Sequence, residues 1–355
     1  MDRLSAQADI RNDAIFAVMD SLRAEHRDCE IDTGVAGQWE FRMHYGSLNA
    51  TLDDGGVRIR VAAQDETCLA YMKMIVAGHI TGQLGTTGDL RWQGDGQDAG
   101  TPAFFREITV ESSARLSPHM QRVRFSCRDL GRFAHGGLHV RLLLPPPGRQ
   151  PVWPSMGADG MLLWPSGADS LTVRVYTIRA LDIADGWLDV DFVLHPGTET
   201  PAAAFAQSAR AGDVIGMIGP GGGDVPETKN LLLVGDDTAL PAIGRILEAL
   251  APSTCAEALV EVNGPEDRIA LTEGDNITVH WLYRHGREAG CAGLLPAALR
   301  ERDHAADNLY VWAGCEFADF REIRRIVRKE WGLPRDRHLV TAYWRRGTQG
   351  EAGEE

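Results

Sequence analysis

No apolar run in this 355-residue chain approaches the roughly 20 residues of a membrane-spanning helix. The opening MDRLSAQADIRND also lacks the apolar core of a secretory leader. A soluble, cytoplasmic protein is expected. An excess of basic charge is missing too, since 50 Asp and Glu outweigh 36 Lys and Arg for a formal net charge of -14. Nucleic acids and anionic membranes reward Lys and Arg, so neither is an expected partner, and any anion handled here needs a local basic site. The cysteines (Cys29, Cys68, Cys127, Cys255, Cys291, Cys315) form no C-x-x-C pair, so neither a zinc site nor a disulfide framework is signalled and reduced thiols are expected. H-E-x-x-H is absent. His26 and His79 stand alone in helical segments, where a surface or satisfied core histidine is a better reading than a ligand, and no metal is assigned to the protein. G-x-G-x-x-G is absent as well, which disfavours an ordinary Rossmann dehydrogenase.

The length allows two or three domains, each with its own core. In the first segment, AIFAVMDSLRAEH and CLAYMKMIVAGHI have helical apolar spacing, while WEFRMHYG, SLNATLDD and VRIRVAA alternate with the period of strands. A small α+β domain over residues 1–92 follows, its role unassigned. GQLGTTGDLRWQGDGQDAGTP reads as a linker, with a boundary near Pro102. From there to about residue 226, short strands broken by Gly and Pro (REITVESSARL, MQRVRFSCR, HVRLLLPPP, SLTVRVYTIRA, WLDVDFVLH, VIGMIGP) suggest an antiparallel barrel or sandwich. Over residues 227–347 the apolar strand LLLVGD, the helix ALPAIGRILEAL and further alternating strands and helices imply an α/β domain with a parallel sheet covered on both faces.

Within the strand-rich segment, RVYTIR sets an aromatic ring between two guanidinium groups. Such a surface is costly unless the charges are paired, either by carboxylates across the sheet, with Asp189 and Asp191 as candidates, or by an anionic ligand. Along an extended strand Arg174 and Tyr176 point one way, Val175 and Thr177 the other. Downstream, FVLHPGTETPAAAFA supplies a turn and small residues where a backbone could approach a diphosphate. GDDTALPAI lies between an apolar strand and a helix, where doubly wound sheets bind ligands, and Asp237 and Thr238 are placed to cap that helix.

LSPHMQRVRF, HVRLLLP, RVYTIR, DFVLH, AGDVIGMIGPGG, GDDTALPAI, WLYR and YWRRG occur in this order, and in that order the chain resembles the siderophore-interacting protein family from about Phe104 to Gly347. The resemblance implies a ferredoxin-reductase-like architecture: an antiparallel FAD-binding β-barrel over 102–226 and an NAD(P)H-binding α/β domain over 227–347. It implies FAD-dependent reduction of a ferric siderophore or other ferric chelate, with NADPH or NADH as donor and no catalytic acid, base or nucleophile. On the cofactor side it implies Tyr176 packing on the flavin or ribityl region, Thr177 bonding near the flavin's reactive edge and Arg174 neutralising the pyrophosphate. Arg179, His195, Thr200, Ala202, Ala203 and Trp344 join them, and Asp237 and Thr238 face the nucleotide. The phosphate-binding turn departs from the family's usual Gly-Pro-Ala-Ser, since this chain has Thr200, Pro201, Ala202 and Ala203, which leaves Thr200 as the substitute hydroxyl. For an anionic siderophore the resemblance implies a basic cluster of Arg141 and Arg284, with Arg345 or Arg346 as the third member.

Two other readings compete. A flavoreductase fed by a ferredoxin or flavodoxin partner would turn over poorly with NAD(P)H, and a non-catalytic siderophore-binding protein would carry no flavin. Glu261, Glu266 and Asp267 disfavour a 2'-phosphate while Arg268 and Arg284 could receive one, so the choice of coenzyme stays open.

Overall fold

Apolar and polar residues alternate along the strand Gly56–Ala63: Val57, Ile59 and Val61 are buried while Arg58 and Arg60 face solvent. In the computed structural model, which describes residues 4–11, 15–53, 56–88, 90–96, 100–194, 200–302 and 308–348, this strand lies within a six-stranded antiparallel sheet. Its order is Glu30–Ile31, Gln38–Met43, Gly46–Asp53, Gly56–Ala63, Leu4–Ile10 and Gln93–Gly94. Helices Ile15–Glu25 and Glu66–Leu84 bury Val18, Met19, Leu22, Met72, Val76 and Ile80 in one core with the strands' inward residues. Each such side chain contributes roughly 1.5–3 kcal/mol by leaving water. The second helix starts where Asp65 accepts the Cys68 N–H at 2.8 Å and ends at Gly85, whose φ of 73° a side chain would resist.

The stretch read as a linker is part of this core. Leu90 and Trp92 are buried, and Gln93–Gly94 pairs with Ala6 and Gln7. The chain divides into two compact units, Met1–Phe105 with Gly148–Ser170, and Arg106–Pro147 with Leu171–Glu355. The first unit therefore takes an excursion from the middle of the chain. Trp92 Nε1–H donates to the Asp159 carbonyl at 2.9 Å, the Thr87 hydroxyl to the Asp159 carboxylate at 2.8 Å, and the Trp153 ring lies 5.4 Å from that of Phe105.

In the second unit a closed barrel, rather than a sandwich, runs in the order Thr172–Asp182, Trp187–Val193, Met120–Ser126, Phe105–Ser117, Val214–Gly221 and His139–Leu144. Its interior holds Val123, Phe125, Val140, Leu142, Ile178, Val190, Phe192 and Met217, with Ala202 and Ala206 of helix Pro201–Ser208 packed in. A parallel sheet follows in the order Ile277–Tyr283, Cys255–Val262, Asn230–Gly235, Leu309–Glu316 and His338–Trp344. Leu231 and Leu233 point to one core with helix Leu240–Ala249, and Leu232 and Val234 to another with helices Leu294–Arg300 and Phe317–Arg325. Apolar runs without alternation are what burial on both faces requires. From helix Leu240–Ala249, Arg245 donates to the carbonyls of Phe133, Leu138 and Ile178, joining sheet domain to barrel. Among the described residues no helix is long and apolar enough to cross a membrane.

Candidate functional site

The carboxylates that could have neutralised Arg174 are taken by other arginines. Asp189 sits directly across from Arg124 and Asp191 from Arg122 in the antiparallel register, and each pair is a bidentate fork at 2.6–2.8 Å. Among the described residues the Arg174 guanidinium makes one hydrogen bond, to the Val173 carbonyl at 2.7 Å, and meets no carboxylate. Two residues on, Tyr176 packs against the barrel core with its ring 4.5 Å from Phe192, and burial pushes its phenol pKa well up. The strand thus offers, among the described residues, a guanidinium without a carboxylate beside a half-buried aromatic edge, an arrangement that could take an anionic cofactor with a planar ring.

Thr177 points to the other face, where it is buried and lies opposite His139. Its hydroxyl is 3.1 Å from His139 Nδ1, and His139 Nε2 is 2.8 Å from the Tyr343 hydroxyl. A neutral imidazole has one N–H and one lone pair, so the ring donates to one hydroxyl and accepts from the other. Burial, with Arg245 adding to it, pushes His139 down to about 4, so the ring is neutral near pH 7. This chain joins the barrel to the last strand of the parallel sheet across 204 sequence positions. Gly314 makes room for it, since a Cβ there would come within 2.8 Å of the Tyr343 ring. Sequence reasoning missed His139 and Tyr343, although both lie inside quoted motifs.

His195, expected just before a phosphate-binding turn, lies with residues 196–199 outside the described residues. Where description resumes, Thr200 caps helix Pro201–Ser208 by accepting the Ala203 N–H at 3.3 Å, which leaves its hydroxyl hydrogen free to donate. Ala202 and Ala203 are buried, and the Ala202 methyl belongs to the barrel core.

At the switch point of the parallel sheet, between Asn230–Gly235 and Leu309–Glu316, a Cβ on Gly235 would meet the Ala239 Cβ at 2.5 Å. Asp236 follows and accepts four bonds: from the Thr238 N–H and hydroxyl, the Glu316 N–H and Trp344 Nε1–H. The helix start is therefore organised by Asp236 and not capped by Asp237 and Thr238 as expected. Thr238 and Trp344 are held by Asp236, and Asp237 belongs to a buried ion pair with Arg284 at 2.6 Å, Glu261 lying 3.4 Å from the same guanidinium. Burial first, opposed by Arg284, pushes Asp237 up to about 6; burial and Asp236 push Glu261 up to about 7. Asp319 is raised to about 6 by burial, Asp236 and Glu316.

Several expected roles change with this geometry. Arg284 is 5% exposed and committed to carboxylates, so it is not an open basic residue of a siderophore cleft. Arg179, expected at the cofactor, is bidentate to Glu248 at 2.5 and 2.8 Å and ties the barrel to helix Leu240–Ala249. Asp267 is buried and binds Ser117 and His119, which removes it from any coenzyme choice. Arg141 is exposed, opposite Val175, itself 46% exposed. Arg345 is exposed over the Phe317 ring at 4.5 Å, and Arg346 pairs with Glu288 at 3.1 Å. Cys315 is a packed thiol whose pKa burial raises well above the ordinary value.

A closed six-stranded barrel followed by a doubly wound parallel sheet is a ferredoxin-reductase-like fold, and a ferredoxin reductase of carbazole 1,9a-dioxygenase shares it at 15% identity and a TM-score of 0.50, over 72% of this chain and 73% of that one. A siderophore-interacting FAD-binding domain matches residues 109–224, and the siderophore-interacting protein model matches residues 228–347. The chain belongs to the siderophore-interacting protein family. It is similar to a siderophore utilization protein from T. fusca, at 30% identity and a TM-score of 0.59, over 71% of this chain and 97% of that one. It is also similar to the ferric vibriobactin reductase of Vibrio cholerae, at 28% identity over 241 residues, 67% of this chain and 88% of the relative.

Proposed function

We propose that the protein is an FAD-dependent ferric-siderophore reductase, and the observation that carries this reading is Arg174, left beside Tyr176 without a carboxylate among the described residues, in a family of FAD-binding domains. Arg174 would hold the pyrophosphate and Tyr176 the ring system, while the Thr200 hydroxyl would donate to phosphate. Flavin, when bound, accepts a hydride and releases electrons singly, which is the change of stoichiometry that reduction of ferric iron requires. Thr177, held by neutral His139, would place a hydroxyl at the cofactor's polar edge, and the His139–Tyr343 bond would keep barrel and sheet in register around it. Ferrous iron binds oxygen-rich chelators less tightly than ferric iron, so reduction frees the metal from an iron chelate bound as substrate.

Arg141 and Arg345 carry the siderophore side of the proposal, now without Arg284. In a chain of net charge -14 an anionic chelate is slowed by the bulk field and drawn by exposed guanidinium groups. Arg141→Ala should raise KM for an anionic ferric siderophore, with the effect shrinking as salt rises, and leave flavin content unchanged. An unchanged KM at low salt removes Arg141 from the substrate site.

The electron donor has two readings. NADH or NADPH would dock at the sheet's switch point, as doubly wound folds favour. A protein donor of the ferredoxin or flavodoxin type is the alternative, and the carboxylates gathered there, Asp236, Asp237, Glu261, Glu316 and Asp319, are buried and do not distinguish it from an anionic dinucleotide. Reduction rates with NADH, NADPH and a reduced ferredoxin, compared on the same flavin-loaded protein, separate the two.

A further inference from the structure

His26 and His79, isolated in the sequence and 53 positions apart, meet in the N-terminal unit. His26 directly follows helix Ile15–Glu25 and His79 lies within helix Glu66–Leu84, and the shared core of these helices brings the imidazoles together. Their Nε2 atoms are 3.2 Å apart, with ring centroids at 5.3 Å and planes at 71°. The Glu25 carboxylate reaches the same His79 nitrogen at 3.5 Å, and one donor atom from each of the three residues lies within 4.8 Å of the others. Behind the pair, the Ser21 hydroxyl is 3.2 Å from His79 Nδ1.

An N–H···N bond between the rings would account for the histidines alone but gives the carboxylate no function. A shared ion accounts for all three. Two imidazole nitrogens on one tetrahedral ion at about 2.05 Å stand about 3.3 Å apart, close to the separation found here. Ser21 accepting the Nδ1–H would leave the Nε2 lone pair of His79 for the ion, and metal-bound histidines are usually held through their second nitrogen in this way. The His79 side chain is 9% exposed and that of Glu25 68%, so the site is closed on the histidine side and open to a water ligand on the carboxylate side.

We propose that Glu25, His26 and His79 bind a divalent first-row transition-metal ion, of the zinc(II) or iron(II) class that two imidazoles and a carboxylate suit. The site lies in the unit that carries none of the proposed flavin residues, so it stands or falls apart from the reductase reading.

The test uses the full chain, stripped with a chelator, then titrated with zinc(II) against a chromophoric competitor and with cobalt(II) by visible absorption. One equivalent should bind, with cobalt bands of a nitrogen- and oxygen-ligated site and no thiolate charge-transfer band. His26→Ala and His79→Ala should weaken zinc binding by more than the roughly 10–100-fold expected for Ser21→Ala, which removes a positioning contact only. Should His79→Ala fail to fold, His26→Ala and Glu25→Gln at partly and well exposed positions decide the matter, with thermal melting as the fold control. Zinc affinity unchanged in both of these, or a cobalt spectrum dominated by thiolate, overturns the proposal and leaves a histidine–histidine hydrogen bond.

Discussion

Arg284→Ala should destabilise the sheet domain strongly, and by an amount that depends on pH. The guanidinium is 5% exposed and lies 2.6 Å from Asp237 and 3.4 Å from Glu261, with Asp236 also buried nearby. Removing one partner of a buried pair leaves uncompensated charge and costs about 3–5 kcal/mol. Asp237 at about 6 and Glu261 at about 7 are both raised by burial above their ordinary values of 3.8 and 4.5. The folded protein therefore holds more protons than the unfolded chain between the ordinary and the raised values, and stability falls as pH rises through that window. A shift of about 2 units is about 3 kcal/mol for either group, and because the two are coupled these are not summed. Without Arg284 both values move higher still, so the loss extends to higher pH, while at pH 5 the carboxyls are protonated and miss the cation least. Urea unfolding of wild type and variant at pH 5, 6, 7 and 8 should show a destabilisation of about 3–5 kcal/mol at pH 8 that shrinks towards pH 5. Combining Arg284→Met with Asp237→Asn and Glu261→Gln should recover most of it. A destabilisation equal at pH 5 and pH 8, or under about 1 kcal/mol throughout, would refute the reasoning.

Arg174→Ala should lower FAD occupancy by the roughly 1–3 kcal/mol of a charge-assisted phosphate contact with little change in melting temperature, whereas Asp189→Asn, which frees Arg124, should lower stability and spare occupancy. The opposite pattern would place Arg174 in the barrel's own ion-pair network. Deleting residues 1–93 removes Thr87 and Trp92, the partners of Asp159 in the excursion at 148–170, so the truncated protein should be poorly soluble unless that excursion is replaced by a short linker. Equal solubility with and without the replacement, judged by size-exclusion profile, would contradict this.

Much of the fold was legible because it is written locally. Alternation in GVRIRVAA and unbroken apolar runs such as LLLV mark half-buried and fully buried strands within a few residues of sequence. RVYTIR was legible as a charged surface seeking a partner, but which carboxylate answers which arginine depends on strand register. Asp189 pairs with Arg124 across 65 positions, and Arg179 with Glu248 across 69. The same limit hid the His139–Tyr343 contact, the burial of Arg284, and the meeting of His26 with His79. It also hid the excursion at 148–170, counted within the strand-rich segment 102–226 although Trp153 packs near Phe105 and Asp159 bonds Trp92. What single-sequence patterning cannot supply is the pairing of side chains brought together only by the closed barrel and the packed helices.

The central claim is tested most directly by the visible spectrum of the purified, FAD-supplemented protein, followed anaerobically. The account predicts a bound flavin spectrum that is bleached by NADH, NADPH or a reduced ferredoxin and restored by adding a ferric siderophore, with ferrous iron appearing in a ferrous-specific chelator. A protein that binds no flavin, or whose reduced flavin is left unoxidised by the ferric siderophore, would contradict it.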